Sequence, residues 1–184
     1  MLYYSLTMLD GESGIIERAT KGEAEAFGLL YDHYLPKIYR FVFLKVGRRE
    51  EAEDLTHQVF LNSWRHIANY QSMGHPFSTL LYRMARNEVI DYIRTKKNPI
   101  PLEDLAQDPS VDQEVDRHFD IGLQIHDVQN AMHTLTPEQQ DVVIMRFVDE
   151  LTNKEIAEVL QKSEGTIRII QHRAIKKLKS ILDA

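Results

Sequence analysis

Three stretches decide the fold of the C-terminal third: Leu135-Thr136-Pro137-Glu138-Gln139-Gln140, Leu151-Thr152-Asn153-Lys154-Glu155-Ile156-Ala157 and Ser163-Glu164-Gly165-Thr166-Ile167-Arg168. Each begins with a hydroxyl residue suited to capping a helix. Thr136 is followed by Pro137, suited to a first helical position, and by Gln139, a reciprocal partner in a capping box. Thr152 and Glu155 repeat the device, and Ser163 can cap a third helix. Between the caps the apolar residues fall at helical spacing: Val142, Val143, Met145 and Phe147; Ile156, Val159 and Leu160; Ile167, Ile170, Ala174, Leu178 and Ile181. Two short helices joined by the turn Gln161-Lys162-Ser163 form a helix-turn-helix, with a small core expected from Ile156, Ala157, Leu160 and Ile167. The second helix of such a motif suits the DNA major groove. It carries Arg168, Arg173, Lys176, Lys177 and Lys179, and Glu164 is the one acid between Lys162 and Lys179. Basic side chains there can neutralise phosphates while the first turns meet base edges.

Working outward, the rest of the chain is also helical. Thr20 with Glu23 predicts a capping box opening a helix with Phe27, Leu30 and Tyr31. Pro36 is expected to interrupt that helix or start the next, which carries Ile38, Tyr39, Phe41, Val42 and Leu44 and ends at Gly47. A third helix spans about Glu50 to Ile67, with Ala52, Leu55, Val59, Phe60 and Trp64 on one face. The loop Asn69–Pro76 follows. A fourth helix, roughly Phe77 to Lys97, is expected to bury Phe77, Leu81, Met84, Ala85, Val89 and Ile93. Its other face presents Arg83, Arg86, Asn87, Asp91, Arg94 and Lys97. The fold class expected is all-α, with two small helical domains. The boundaries expected are an N-terminal extension 1–19, a helical domain 20–97, a linker 98–128 and a helix-turn-helix domain 129–184.

Charge follows this division. Of 184 residues, Lys and Arg number 22 and Asp and Glu 28, for a net charge of −6. Segment 1–35 is net −4, 36–100 net +5, 101–128 net −7 and 129–184 balanced. Two segments with basic helices thus flank an acidic one. That pattern suits nucleic-acid contact within a larger assembly better than a simple nucleic-acid coat. There is no cysteine, which removes disulfides, thiolate zinc sites and cysteine nucleophiles. No apolar run approaches the ~20 residues needed to span a bilayer. The start has no basic region of a secretory signal, and Met8 is available as an alternative start. The expected location is the cytoplasm.

Enzyme chemistry finds little support. His57, His66 and His75 recur at nine-residue spacing, with His118, His126 and His133 further on, but none makes a tight zinc pattern. No glycine-rich phosphate loop is present. No catalytic residue, metal ligand or cofactor is expected. Tyr70, in the loop before the basic fourth helix, could hold an unstacked base or simply pack on the bundle.

Three motifs resemble those of one family. Ala52-Glu53-Asp54-Leu55-Thr56-His57-Gln58-Val59-Phe60-Leu61-Asn62-Ser63-Trp64-Arg65 resembles the core-binding helix of bacterial sigma factors. Phe77 to Asn87, continuing to Asp91-Tyr92-Ile93-Arg94, resembles their promoter-melting and −10-reading helix. The C-terminal motif resembles their −35-reading domain. With two domains and a short linker, the resemblance is to the extracytoplasmic-function (ECF) class of the sigma-70 family, over nearly the whole chain from about Glu23. It implies recruitment of core RNA polymerase to promoter DNA. Asp54, Leu55, Gln58, Val59 and Leu61 would dock on the polymerase clamp. Tyr70, Arg83, Arg86, Asn87, Arg94 and Lys97 would contact the −10 region, with loop 69–76 holding a flipped base. Ser163, Thr166, Arg168, Gln171, His172, Arg173 and Lys176 would meet the −35 region, beside the polymerase flap. The acidic linker would thread polymerase channels built for RNA.

The chain departs from the family pattern at named positions. Leu80 stands where Trp is frequent, His57 where Gln is common and Gln58 where Glu is common. Ile169 and Ile170 replace a frequent Ser-Arg pair. Gln161 occupies a turn where Gly is easy, and predicts a left-handed backbone. The alternative reading is a response-regulator-type transcription factor, whose output domain Leu135–Leu178 also resembles. It would require alternating strands and helices in residues 1–97, where the pattern shows helices only. The two-module design further predicts an anti-sigma partner, or packing of the modules on each other.

Overall fold

The computed structural model describes residues 9–71, 75–95 and 130–182. Lys97, the linker 98–128, Met8 and part of loop 69–76 lie outside the described residues. The architecture is all-α: α1 Glu12–Thr20, α2 Ala24–Val46, α3 Arg49–His66, a 3-10 turn Ile67–Asn69 and α4 Phe77–Thr95 form the first module. Residues 130–133 are helical; α5 Pro137–Val143, a π-helical turn Ile144–Val148, α6 Asn153–Leu160 and α7 Glu164–Leu182 form the second.

α2 is the hub of the first module. Leu30, Tyr34, Ile38, Phe41 and Val42 recur every one to four residues and are fully buried. They pack on α1, α3 and α4. Each such side chain stabilises the module by roughly 1.5–3 kcal/mol. Pro36 does not break the helix, contrary to the expectation from sequence: α2 runs through it. Pro36 and Asp32 are both exposed, so the carbonyl that loses its amide partner faces water. The Thr20–Glu23 capping box also does not form. Thr20 ends α1 and its hydroxyl donates to the Glu17 carbonyl at 2.8 Å, while Glu23 pairs with Arg18 at 2.7 Å. Gly47 ends α2 as expected, with φ 73° and its N–H on the Phe43 carbonyl at 2.8 Å.

The second module forms as its caps dictate. Thr136 and Gln139 make a reciprocal capping box, as do Thr152 and Glu155. The Ser163 hydroxyl accepts the Thr166 N–H at 3.1 Å. Ile156, Ile167 and Ala174 are fully buried where α6 and α7 pack. Three apolar positions expected in the cores are not fully buried: Ile93 is 52% exposed, and Met84 and Leu160 are half-buried; Phe147 and Ile181, at helical spacing in the sequence, are 52% and 38% exposed. Phe147 turns outward because the chain widens into a π turn there, which shifts the helical phase.

Gln161 takes the left-handed backbone that its place in the turn requires, φ 55° and ψ 46°. A side chain there costs ~1–2 kcal/mol, whereas Gly gives back ~0.5–1 kcal/mol in chain entropy. Gln161→Gly is therefore expected to stabilise the fold by about 0.5–1 kcal/mol, read as a higher thermal midpoint. A lowered midpoint would show that the Gln161 side chain contributes more than its backbone costs.

Candidate nucleic-acid interface

α4 carries the basic strip. Arg83, Arg86, Asn87 and Arg94 recur at helical spacing along it. Asn87 and Arg94 are exposed, and among the described residues Arg94 meets the neighbouring exposed carboxylate of Asp91, at 3.0 Å. Arg83 and Arg86 are half-buried, because the second module lies over them. Arg86 Nε donates to Asp141 Oδ2 at 2.8 Å, and Arg83 donates to the Glu158 carbonyl. His75 Nδ1 lies 2.6 Å from a Glu158 carboxylate oxygen. Tyr70 packs edge-on against Phe77, ring centres 5.3 Å apart, and its hydroxyl reaches the His75 carbonyl at 3.5 Å. It is thus part of the bundle in this arrangement, and burial pushes its hydroxyl up to about 12.

Two carboxylates of the second module are buried against α2 and α4. Asp141, 1% exposed, pairs with Lys45 as well as Arg86. Burial holds the Lys45 amine below its ordinary range, with Asp141 opposing the shift. Asp149, 4% exposed, accepts from Arg40 Nε at 3.0 Å. Tyr82 of α4 lies within its electrostatic reach without completing a well-formed hydrogen bond, and Lys37 of α2 adds positive charge. Burial outweighs all of these and raises Asp149 to about 6. Its protonated form therefore contributes stability in full below about 4, the ordinary aspartate value, and that contribution is lost as pH rises through about 6. The stability of the protein relative to its Asp149→Asn variant is expected to fall by about 3 kcal/mol between pH 4 and pH 7. Denaturant titrations of both across that range check this. A constant difference would show that Asp149 does not take up a proton on folding.

α7 presents the second basic surface. Arg168, His172, Lys176 and Lys179 are exposed at spacings of four, four and three residues. Arg168 meets Glu164 at 3.2 Å on the surface, and Arg173 is exposed beside this row. Gln171 and Thr166 are half-buried. Lys177, by contrast, turns back to the Thr134 carbonyl. Ile169, 54% exposed, stands among the basic residues, and Ile170 is buried in the module core.

α3 places Asp54 and Leu61 outward, with Leu55 and Gln58 half-buried. Val59 is fully buried, so it packs the helix rather than meeting a partner. Beside this face lies an apolar groove of about 260 Å³ between α2 and α3, lined by Ala24, Phe27, Tyr31, His57, Phe60, Leu61 and Trp64. Phe27 meets Trp64, and Tyr31 meets Phe60, with ring centres 4.8 Å apart in each pair. Only the α3 half of this groove was legible from motif resemblance; the aromatic residues of α2 read as ordinary core.

The sequence reading missed Glu12 altogether. Residues 9–20 form ordered structure rather than a mere extension. The Glu12 carboxylate, 3% exposed, accepts from the Tyr34 hydroxyl at 2.6 Å, the Phe77 N–H at 2.9 Å and the Leu9 N–H at 3.0 Å. It therefore caps the N-terminus of α4, the helix bearing the basic strip. A single acid ahead of an amphipathic helix carries no signal of such a role in sequence.

Among the described residues, no group of acidic or imidazole side chains could hold a metal ion, and no helix is long and apolar enough to cross a membrane. Nor is there a strand, which the response-regulator alternative would need in its first half.

Comparison with known proteins matches Sigma-70 region 2 to residues 30–99 and Sigma-70 region 4 to residues 131–180, together well over half of the chain. The chain is 34% identical over 170 residues to the ECF RNA polymerase sigma factor BldN of Streptomyces coelicolor, covering 91% of this chain and 64% of that protein. It is 29% identical to ECF RNA polymerase sigma factor SigW of Bacillus subtilis, covering 91% of this chain and 94% of the other. In fold it resembles CnrH, solved in complex with the cytosolic domain of CnrY, with a TM-score of 0.72 and 18% identity over 92% of this chain and 95% of that one. The sigma factor RpoE of Bartonella quintana, solved with the anti-sigma factor NepR, gives a TM-score of 0.69 and 20% identity over 88% of this chain and 99% of the other. Two sigma-70 regions in order, each on the helices that carry its motif, show that the chain belongs to the ECF class of the sigma-70 family, which are DNA-binding transcription initiation factors and not enzymes.

Proposed function

We propose that this chain binds core RNA polymerase, directs it to a specific set of promoters and helps to open them. The observation that carries this reading is the order and spacing of three surfaces: the α3 face, the basic strip of α4 and the basic face of α7. Asp54, Leu55, Gln58 and Leu61 are assigned to the polymerase clamp. Tyr70, Arg83, Arg86, Asn87, Arg94 and Lys97 are assigned to the −10 region, with Tyr70 released to a base in the complex. Ser163, Thr166, Arg168, Gln171, His172, Arg173 and Lys176 are assigned to the −35 region. The domain limits 20–97 and 129–184, the polymerase flap contact and the route of linker 98–128 through the polymerase belong to the same reading. So do a cytoplasmic location and an anti-sigma partner, the latter supported by the complexes in which two fold relatives were solved.

Gel filtration of the full chain with core polymerase lacking any sigma tests this. One-to-one co-migration, followed by specific initiation on promoter DNA, is the expected result. No association from a folded sample, at concentrations where the groove is accessible, overturns it. A narrower expectation concerns Arg94. Its partner among the described residues is an exposed carboxylate, and exposed pairs stabilise little. Arg94→Ala should leave the melting midpoint within a degree or two and lower open-complex yield about tenfold, the loss expected for one charge-assisted DNA contact. Permanganate footprinting reads that yield; normal opening would remove Arg94 from the DNA surface.

A further inference from the structure

The two modules meet through charge. Asp141 reaches across to Lys45 and Arg86, Asp149 to Arg40, and the Glu158 backbone and side chain to Arg83 and His75. Lys45 and Asp141 are almost completely enclosed, with side chains 2% and 1% exposed. We propose that Asp141 is an intramolecular latch: it takes, on Arg86, the place that a DNA phosphate would occupy, and so holds the free chain closed with Arg83 and Arg86 of its −10 surface covered. The proposal rests on the assignment of Arg83 and Arg86 to DNA.

The geometry makes the two states exclusive. Arg86 directs Nε at Asp141. Arg83 is held by a carbonyl of α6, whose body stands over α4. DNA cannot lie along α4 while α6 does. The arginine and lysine contacts each join a cation of the first module to an oxygen of the second, so the second module mimics the anion it displaces.

The chemistry of the contact suits a reversible device. Bringing a carboxylate, an amine and a guanidinium out of water costs nearly as much as their attraction returns. A buried ion pair therefore holds a fixed register with little net stability, unlike a broad apolar seam. The closed state remains within reach of a competing polyanion or of the polymerase surface. Removing one partner alone is a different matter. With Asp141 neutral, Lys45 and Arg86 share an enclosed site without a counter-charge in the closed state, yet both regain water in the open one. The helix-capping side chains of the two modules include neither Asp141 nor its partners, so the change acts first on the contact between modules.

The absence of cysteine makes the test direct. Cysteines placed at exposed Ala68 and Lys179 accept a donor and acceptor dye without competing sites. In the full chain, energy transfer between them should be high, and Asp141→Asn should abolish most of it, raising the open-to-closed ratio ~100-fold or more. A fluorescein-labelled 20-mer of single-stranded DNA should then bind Asp141→Asn at least ~10-fold more tightly than the parent, because binding no longer waits on a minor open state. Asp10→Asn, which makes the same charge change at an exposed remote site, should do neither. Lys45→Glu approaches the latch from the other module; it should also lose energy transfer, and decides the matter if circular dichroism shows Asp141→Asn unfolded. Undiminished transfer in a folded variant of either kind overturns the latch. Lost transfer with unchanged DNA affinity overturns the claim that closure covers the DNA surface. Failure of the parent chain to join core polymerase, with the latch behaving as described, strikes the sigma-specific assignment of the arginines and leaves the closure standing.

Discussion

Replacing Glu12 with Ala is expected to lower the unfolding free energy by about 3–5 kcal/mol, the largest single loss outside the apolar core. The carboxylate receives three donors, from Tyr34 of α2, Phe77 at the head of α4 and Leu9 before α1. Hydrogen bonds to a charged acceptor are stronger than neutral ones, and each buried donor left without an acceptor costs ~1–3 kcal/mol. The Tyr34 ring and the Phe77 side chain are fully buried, so water reaches neither donor without rearrangement. Burial and the nearby carboxylate together push the Tyr34 hydroxyl far above its ordinary range, so it remains a donor at every working pH. Glu12→Gln keeps one acceptor oxygen and should cost about half as much. Urea unfolding of the three proteins at pH 7 gives the comparison. A loss under ~1 kcal/mol for Glu12→Ala would mean that α1 peels away cheaply and the network is not a keystone.

Leu61→Asp should weaken the complex with core polymerase about 100-fold or more. Leu61 is 37% exposed at the edge of the aromatic groove, next to the α3 residues assigned to the clamp. A leucine closing an apolar contact supplies burial, and an aspartate there must be desolvated without a partner. Central interface positions of this kind cost ~2–4 kcal/mol on substitution. The fold should tolerate the change, since the side chain already faces water. Leu29→Asp is the control: Leu29 is 48% exposed on α2 but does not line the groove. Fluorescence anisotropy of labelled chain titrated with core polymerase reads both. Equal losses from the two variants, or none from Leu61→Asp, would place the polymerase contact elsewhere.

Local chemistry was legible in the sequence wherever a cap or a turn set it. Thr136, Thr152 and Ser163 cap as their spacing dictates, and Gln161 adopts the costly backbone that its position demands. Errors arose where a local rule met a tertiary condition. Pro36 sits harmlessly on a solvent face. Thr20 found a carbonyl in its own helix before Glu23 could pair with it. Phe147 lost its phase to a π turn, and Val59 went wholly inside although its motif neighbours face out. The contacts between modules were beyond reading. Arg40 and Asp149 are 109 residues apart, and no periodicity links them. Likewise, Glu12 acts at a helix that begins 65 residues later.

That long separation has a consequence for how the chain is made. Arg86 leaves the ribosome 55 residues before the carboxylate that covers it. At ~5–20 residues per second, the interval is about 3–11 s. Helix α4 can form within that time, since its own N-terminal cap, Glu12, has already emerged. Each nascent chain thus passes several seconds with its basic strip bare, beside the messenger RNA on which it is made. The newborn protein is more adhesive toward nucleic acid than the finished one, and the segment from Asp141 onward completes the self-restraint.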